Sequence, residues 1–173
     1  MTLLPLRSIN RYTRTLTAAA ATFWLIASSG HAQKAHPFTK LGGSWSGSGS
    51  VILSSGTKER IRCRAGYTSA DIFNLITLRL ELRCASDSFN FQLQSDLNYD
   101  SGALSGVWSE LTRGVSGTIT GKVAGDHIEA VAESQTFQAI LELTTQGDRQ
   151  SVRIQSPGSE MAEVLIALGR VPK

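Results

Sequence analysis

The stretch KERIRCRAGYTSADIFNLITLRLELRCA, residues 58–85, decides the fold class of this chain. Apolar and polar side chains alternate along both of its halves, and a period of two is typical of β-strands that bury one face. The alternation is interrupted near Phe73 and Asn74, which marks a turn. We therefore predict that residues 58–68 and 75–85 are antiparallel strands of one hairpin.

Both cysteines of the chain lie on the apolar faces of these strands. Cys63 and Cys84 are the only two, and an even count in an exported protein is typical of a disulfide. The alternatives are a redox pair and a metal site, but the chain has no CxxC motif and two thiols alone do not make a zinc site. We predict a Cys63–Cys84 disulfide that stabilises the fold by about 3 kcal/mol.

Five arginines follow the opposite, polar faces of the same two strands. If the cysteines are paired, Arg64 faces Arg83, and like charges directly opposite each other are unfavourable. We therefore expect a neighbouring acid such as Glu59, Glu81 or Asp87 between them. Guanidinium groups on one face would bind phosphate, carboxylate or a polyanion, whereas the alternative interpretation is a solvated exterior. The residues of this candidate patch are Arg60, Arg62, Arg64, Arg79 and Arg83.

The alternation continues to the end of the chain in short runs bounded by Gly, Asn, Asp or Ser. Such runs are typical of hairpin-linked strands, and an open sheet of this kind would leave two unpaired edges. We predict an all-β fold, a single antiparallel up-and-down β-barrel of eight to ten strands, with a β-sandwich as the alternative. The predicted strands are 43–53, 58–68, 75–85, 89–98, 103–112, 115–123, 127–133, 137–145, 150–155 and 163–171.

The first 32 residues have the pattern of a signal peptide. Arg7, Arg11 and Arg14 precede an apolar stretch over 16–27, and small residues at Gly30 and Ala32 suit a signal peptidase. The alternative, an uncleaved membrane anchor, is disfavoured because the apolar run is shorter than the roughly 20 residues that cross a bilayer. We predict cleavage after Ala32, a flexible tail over 33–41, a barrel domain over 42–173, and a periplasmic or secreted protein.

The net charge of the full chain does not indicate nucleic-acid binding. The chain has 17 basic and 14 acidic residues, but three of the basic residues are the leader arginines. The predicted mature chain is therefore neutral overall, and a strongly basic surface of the kind that binds nucleic acid is not expected.

An outer-membrane barrel is disfavoured because aromatic residues make up only 7% of the sequence.

Gly43-Ser44-Trp45 at the start of the first strand and Gly169-Arg170 at the end of the last one resemble elements of lipocalin-like and avidin-like barrels. In those families a Gly-x-Trp element begins the first strand and the tryptophan seals the barrel floor, with a late arginine packed across it in lipocalins. The resemblance implies a barrel able to hold a small ligand. The candidate ligand-binding residues are Trp45 and Arg170 from these elements and Trp108 from the fifth predicted strand. A plain core role for Trp45 is the alternative. The chain also resembles small exported proteins of Gram-negative bacteria.

The sequence contains no motif typical of an active site. His127 is the only histidine in the predicted barrel and follows Asp126 at a turn, and phosphate-binding loops and metal-ligand spacings are absent. Trp108, Glu110 and Arg113 are compatible with a binding wall or with a surface salt bridge. We therefore expect no catalytic residue, no metal and no cofactor, and a protein that is not an enzyme.

Two functions are compatible with these observations. The first is an exported, non-enzymatic barrel that binds a small hydrophobic or amphipathic ligand, or a component of the cell envelope. The alternative is an interaction module that uses the arginine face on an anionic surface. A cavity lined by inward positions would favour the first function. The positions that we expect to point inward include Leu78, Leu80, Leu93 and Ile140.

Overall fold

A computed structural model describes residues 36–172 except residue 74. Ten antiparallel strands pair with their neighbours in the chain, and the first pairs with the last, which makes a closed up-and-down barrel. The predicted fold class is thus confirmed, and the predicted leader lies outside the described residues. The strands are β1 (Gly43–Leu53), β2 (Lys58–Ile72), β3 (Leu75–Ala85), β4 (Asn90–Asp100), β5 (Ala103–Glu110), β6 (Val115–Ala124), β7 (His127–Glu133), β8 (Gln138–Gln146), β9 (Arg149–Gln155) and β10 (Met161–Arg170).

The register of β2 and β3 agrees with the sequence-based prediction. Cys63 lies directly opposite Cys84, and the two sulfurs form the predicted disulfide on the inward face. The strand β2 runs four residues further than predicted, to Ile72, because the turn at Phe73 is tight and the ladder continues up to it. Phe73 has a φ of 52° in this turn and its side chain is fully exposed.

The strands β1 and β10 close the barrel at a seam that depends on glycine. A Cβ atom built on Gly47 would overlap the carbonyl group of Ala167, and one built on Gly49 would overlap the carbonyl group of Leu165. The two backbones therefore approach each other more closely than any side chain at these positions would allow. Glycine inside a strand weakens pairing in general, but here it permits the sharp coiling that a small barrel needs.

The inward face of the barrel is apolar, with one change from the expected set of residues. Ile140 lies on the outer face of β8 and is 46% exposed, so the prediction that it points inward is wrong. The run from Ala139 to Leu143 has apolar side chains at both parities, so alternation alone did not determine which face is buried. The structure buries Ala139, and Leu141 and Leu143 line the interior with it.

The segment before β1 differs from the flexible tail that the sequence suggested. Residues Pro37–Lys40 form a single 3₁₀ turn, and Phe38, which contacts the ring of Tyr99 edge-on at 5.6 Å, is completely buried. Leu41 is buried as well. The segment therefore covers one end of the barrel. No helix in the part of the chain that the structure describes is long and apolar enough to cross a membrane.

We predict that Gly49→Ala lowers the free energy of unfolding by about 1–3 kcal/mol, because the new methyl group forces the seam strands apart. Gly66→Ala is the matched control, since Gly66 lies in β2 with open space where its Cβ would be. We expect this control to be neutral or slightly stabilising. Chemical denaturation of both variants measures the difference, and equal losses of stability would show that the seam does not require glycine.

Candidate ligand-binding site

The barrel encloses a cavity of about 460 Å³. The inward faces of all ten strands form its walls. Phe38 and Leu41 cover one of its two ends. The other end, which we call the mouth, is formed by the loops β3–β4, β5–β6, β7–β8 and β9–β10. The lining is mostly apolar and includes Ile61, Leu78, Leu82, Phe91, Leu97, Trp108, Ile119, Phe137, Leu141 and Ile166.

Trp45 seals the covered end. Its indole Nε1 donates a hydrogen bond of 2.8 Å to the carbonyl oxygen of Leu41, and its ring meets that of Tyr67 edge-on. The guanidinium carbon of Arg170, which lies directly opposite Trp45 in the pairing of β1 with β10, is 4.3 Å from the centre of the indole. A cation over an indole face is attracted by the negative charge of the ring face.

Arg170 also ties three separate segments together. Its guanidinium donates hydrogen bonds to the carbonyl oxygens of Lys40 (2.5 Å) and Gly42 (2.6 Å) and to the carboxylate of Asp148 (2.8 Å). Neither Trp45 nor Arg170 lines the cavity. The structure therefore gives these two predicted ligand-binding residues the role of closing the floor, as the lipocalin resemblance implied.

A layer of hydrogen-bonded polar side chains lies above the floor. The hydroxyl of Tyr67 donates to Oε1 of Gln150 at 2.7 Å, and Nε2 of Gln150 donates to the hydroxyl of Thr145 at 3.1 Å. Burial raises the pKa of Tyr67 well above its ordinary value, so the phenol stays protonated and acts as the donor. Because each side chain of this layer has a hydrogen-bond partner, the layer closes the base of the cavity without an unpaired polar side chain.

Trp108, the third candidate ligand-binding residue, lines the cavity. Its Nε1 donates to the carbonyl oxygen of Thr118 at 3.0 Å, and its ring centre lies 5.7 Å from that of Phe137, so these two contacts fix the indole in the cavity wall. Ser95 lies opposite Trp108 on β4. Its side chain is only 4% exposed, lines the cavity, and makes no hydrogen bond to any residue that the structure describes.

Sequence reasoning missed Ser95, although a signal for it exists. The inward positions of β4 are Phe91, Leu93, Ser95, Leu97 and Tyr99, so the serine is a polar interruption of an apolar row. Its hydroxyl therefore supplies one donor and acceptor positions in an otherwise apolar stretch of the cavity wall. Ser95 is therefore a candidate group for recognising a polar atom of a ligand.

Glu110 holds the backbone near the mouth of the cavity through hydrogen bonds to its carboxylate. It is 4% exposed, and its carboxylate accepts hydrogen bonds from the backbone N–H groups of Gln92 (3.0 Å), Thr112 (3.0 Å) and Arg113 (2.7 Å). Burial acts to raise the pKa of Glu110, but these hydrogen bonds outweigh burial and the pKa lies below its ordinary value. The carboxylate is therefore ionised and organises the β5–β6 loop.

Arg113 connects three loops of the mouth. Its guanidinium carbon lies 4.3 Å from the ring centre of Phe89, and Nη1 donates to the carbonyl oxygen of Asn90 at 3.2 Å. Its nitrogens are also 3.7 Å from the carboxylate of Glu110 and 3.9 Å from that of Glu160. Glu110 and Arg113 were expected as part of a binding wall or as a surface salt bridge, and the structure places both at the rim of the cavity.

The predicted arginine patch lies on the outer face of the barrel. Arg79 pairs with Asp96 at 2.7 Å. The expectation of an acid between Arg64 and Arg83 is wrong, because no carboxylate of a described residue lies within 4.0 Å of either arginine. The carboxylate of Glu59 instead accepts hydrogen bonds from the hydroxyls of Ser86 and Ser88. The remaining members, Arg60 and Arg62, are exposed on the same face.

His127 lies on the outer face as well. Its Nδ1 is 2.9 Å from the hydroxyl of Thr144, and its Nε2 is 3.1 Å from the carboxylate of Glu129. The backbone amides around this array are used by the strand ladder of the closed barrel, so they do not form an oxyanion hole. Among residues 36–172 without residue 74, no three His, Cys, Asp or Glu side chains are placed to hold a metal ion.

Comparison with known proteins supports the fold and no particular family. The sequence matches no protein-family model and no curated protein. The crystal structure of Rv2717c from M. tuberculosis is similar with a TM-score of 0.62 at 16% identity, over 80% of this chain and 99% of that one. The S-type phycobiliprotein lyase CPES from Guillardia theta is similar with a TM-score of 0.57 at 12% identity, over 79% and 91%. Both are β-barrels of lipocalin-like fold.

The lyase corrects one expectation from the sequence. We expected a protein that is not an enzyme, because no catalytic motif is visible. A lyase is an enzyme, and this one has the same barrel architecture. The expectation is therefore contradicted, since the absence of a recognisable motif does not exclude catalysis by a barrel of this fold.

We predict that Arg170→Met lowers the free energy of unfolding by about 2 kcal/mol or more, because the variant loses the contact with Trp45 and the hydrogen bonds to Lys40, Gly42 and Asp148. The matched control is Arg153→Met, which removes an outer-face pair with Glu163 (2.9 Å). We expect the control to cost under about 1 kcal/mol. Urea denaturation compares the two, and an equal loss would contradict the role given to Arg170.

We predict that Glu110→Gln lowers stability at neutral pH by about 1–2 kcal/mol, since an amide cannot replace the carboxylate as acceptor of three N–H groups. Because the folded-state pKa of Glu110 is lowered, its stabilisation is complete above the ordinary value of 4.5 and decreases as the pH falls through the folded pKa. The stability difference from the unsubstituted protein should therefore narrow below pH 4.5. The control is Glu142→Gln, and a pH-independent difference for Glu110→Gln would contradict the prediction.

Proposed function

We propose that the barrel binds a small amphipathic ligand, with the apolar part inside the cavity and the polar part at the mouth. The single observation that carries this proposal is the cavity of about 460 Å³, which has apolar walls and polar side chains at its mouth. Small-molecule sites are typically concave, mostly apolar and about 300–1,000 Å³ in volume. The similarity to two other barrels of this fold is compatible with ligand binding but names no ligand for this chain.

The distribution of polar groups indicates an amphipathic ligand rather than a wholly apolar one. The side chains of Thr136, Ser159 and Glu160 line the mouth together with Arg113. These groups have access to solvent and would hydrogen-bond a polar head group at little cost. Deeper in the cavity the lining is apolar, and burial of a hydrocarbon or aromatic body there is favourable by roughly 25 cal/mol per Å².

Ser95 adds a polar position below the mouth. Its hydroxyl is enclosed by the cavity wall opposite Trp108 and has no partner among the described residues. A ligand with one oxygen or nitrogen in the middle of an apolar body would pair with this hydroxyl, while the indole of Trp108 would contact the adjacent part of the ligand. Such a pair restricts the ligand's orientation, because a ligand without the polar atom leaves the hydroxyl unpaired.

We predict that the purified protein binds the amphipathic fluorophore 8-anilinonaphthalene-1-sulfonate and that dodecanoate displaces it, because both have an apolar body and one polar head. Ala132→Phe fills the cavity from β7 and should weaken binding at least about tenfold. Ala103→Phe is the control, since Ala103 is exposed on the outer face of β5. Fluorescence titration measures the affinities.

The controls separate binding in the cavity from binding to a loosened fold. Cooperative unfolding and near-ultraviolet dichroism establish that each variant is folded, since this fluorophore also binds molten states. Should Ala132→Phe not fold, Trp108→Phe serves instead, because it changes the cavity wall while keeping an aromatic ring. Equal binding by the cavity variant and the outer-face control would overturn the proposal, as would no binding at all.

We also propose that the protein acts after export. The support is the leader pattern over residues 1–32 together with a disulfide, which persists in oxidising compartments. We predict that the protein recovered from the periplasm or the medium begins at Gln33, as measured by N-terminal sequencing. Leu25→Asp, which interrupts the apolar stretch, should leave the chain uncleaved. Recovery of the unsubstituted chain with its leader intact would contradict export.

A further inference from the structure

The outer face of β2 and β3 holds a like-charge pair that the chain itself does not neutralise. Arg64 lies directly opposite Arg83, and both side chains are exposed on the outside of the barrel. Within the described residues, no carboxylate lies within 4.0 Å of either guanidinium. Like charges directly opposite in a sheet are destabilising, so an anion from solution would stabilise this part of the fold.

The surroundings of the pair supply further donors. Arg62 precedes Arg64 by two residues, so both side chains lie on the same side of β2. Ser46 of β1 lies opposite Arg64, and Ser48 lies opposite Arg62. Neighbouring strands are about 4.8 Å apart, and residues two apart along a strand about 6.7 Å, so the three arginines and the two serines start from neighbouring positions on the same face.

The acids near this area do not cancel its charge. Asp96 is paired with Arg79 further along β3. The carboxylate of Glu59 is held by the hydroxyls of Ser86 and Ser88, whose hydrogen bonds lower its pKa. Glu81 lies on the same outer face, opposite Gly66. Three arginines and one glutamate leave two net positive charges, which is the charge that a dianion would neutralise.

We infer that Arg62, Arg64 and Arg83, with the hydroxyl of Ser46, form a binding site for an oxyanion of the phosphate class that carries at least two negative charges. Guanidinium groups donate paired hydrogen bonds that match the geometry of phosphate oxygens. A phosphate between Arg64 and Arg83 accepts from both and replaces their repulsion by two attractions. The site lies on the opposite side of the strands from the cavity and does not depend on the proposed ligand.

The experiment measures the thermal unfolding midpoint with pyrophosphate added at constant ionic strength, so that general screening is held fixed. The unsubstituted protein should show a rise that grows with the logarithm of the pyrophosphate concentration and is on the order of 4 °C at ten times the dissociation constant. The double variant Arg64→Gln/Arg83→Gln should show no rise. In chloride at low salt this variant should also unfold at a higher temperature than the unsubstituted protein, because the repulsion is gone.

A matched control removes the same charge elsewhere. Lys122→Gln/Arg149→Gln also deletes two exposed cations of the outer face, and it should retain the full response to pyrophosphate. Equal responses by all three proteins would overturn the inference, because binding would then follow net charge alone. The absence of any response in the unsubstituted protein would overturn it as well.

A second measurement distinguishes the two sources of a phosphate group. Phosphatidylcholine vesicles with and without phosphatidic acid are sedimented with each protein. Sedimentation that requires phosphatidic acid and is lost in Arg64→Gln/Arg83→Gln identifies a lipid head group as the partner. A response to pyrophosphate without sedimentation identifies a soluble phosphate compound.

Discussion

Pairing of β1 with β10 is the constraint on which the rest of the structure depends. It removes both free edges of the sheet, and edge strands are otherwise sites of aggregation. It also sets Trp45 directly opposite Arg170, so the contact that seals the floor follows from the register of the seam. Because Gly47 and Gly49 allow the two backbones to approach, closure is achieved with a small radius, which leaves an interior of about 460 Å³.

Closure also separates two chemically different surfaces that share the same strands. Side chains alternate across a strand, so β2 and β3 present Tyr67, Leu78 and Leu82 to the interior and Arg64 and Arg83 to the outside. The interior suits an apolar ligand body, whereas the outside suits a multiply charged anion. The two proposed sites are therefore independent in their chemistry, although any distortion of these strands would affect both of them.

Much of the fold could be predicted from the sequence, because strand alternation and turn residues are local signals. The bounds of β1, β3 and β7 and the Cys63–Cys84 pairing agree with the prediction. Which face of β8 is buried was not predictable in the same way, because apolar residues occur on both faces of this strand. Ile140, which we expected to point inward, points outward. The burial of Phe38 was missed because its contacts come from Tyr99, which is distant in sequence.

The sequence by itself determined the all-β class, the disulfide, the outward placement of the arginines and a strand number within a range of eight to ten, because each of these depends on alternation within a strand or between two adjacent ones. Only the tertiary structure decided which groups meet across the barrel. The hydrogen bond between Tyr67 and Gln150 and the contact of Arg113 with Glu160 join strands and loops that become neighbours only when the sheet closes. Closure is a long-range event, and local alternation carries no information about its radius or about the contacts that it creates.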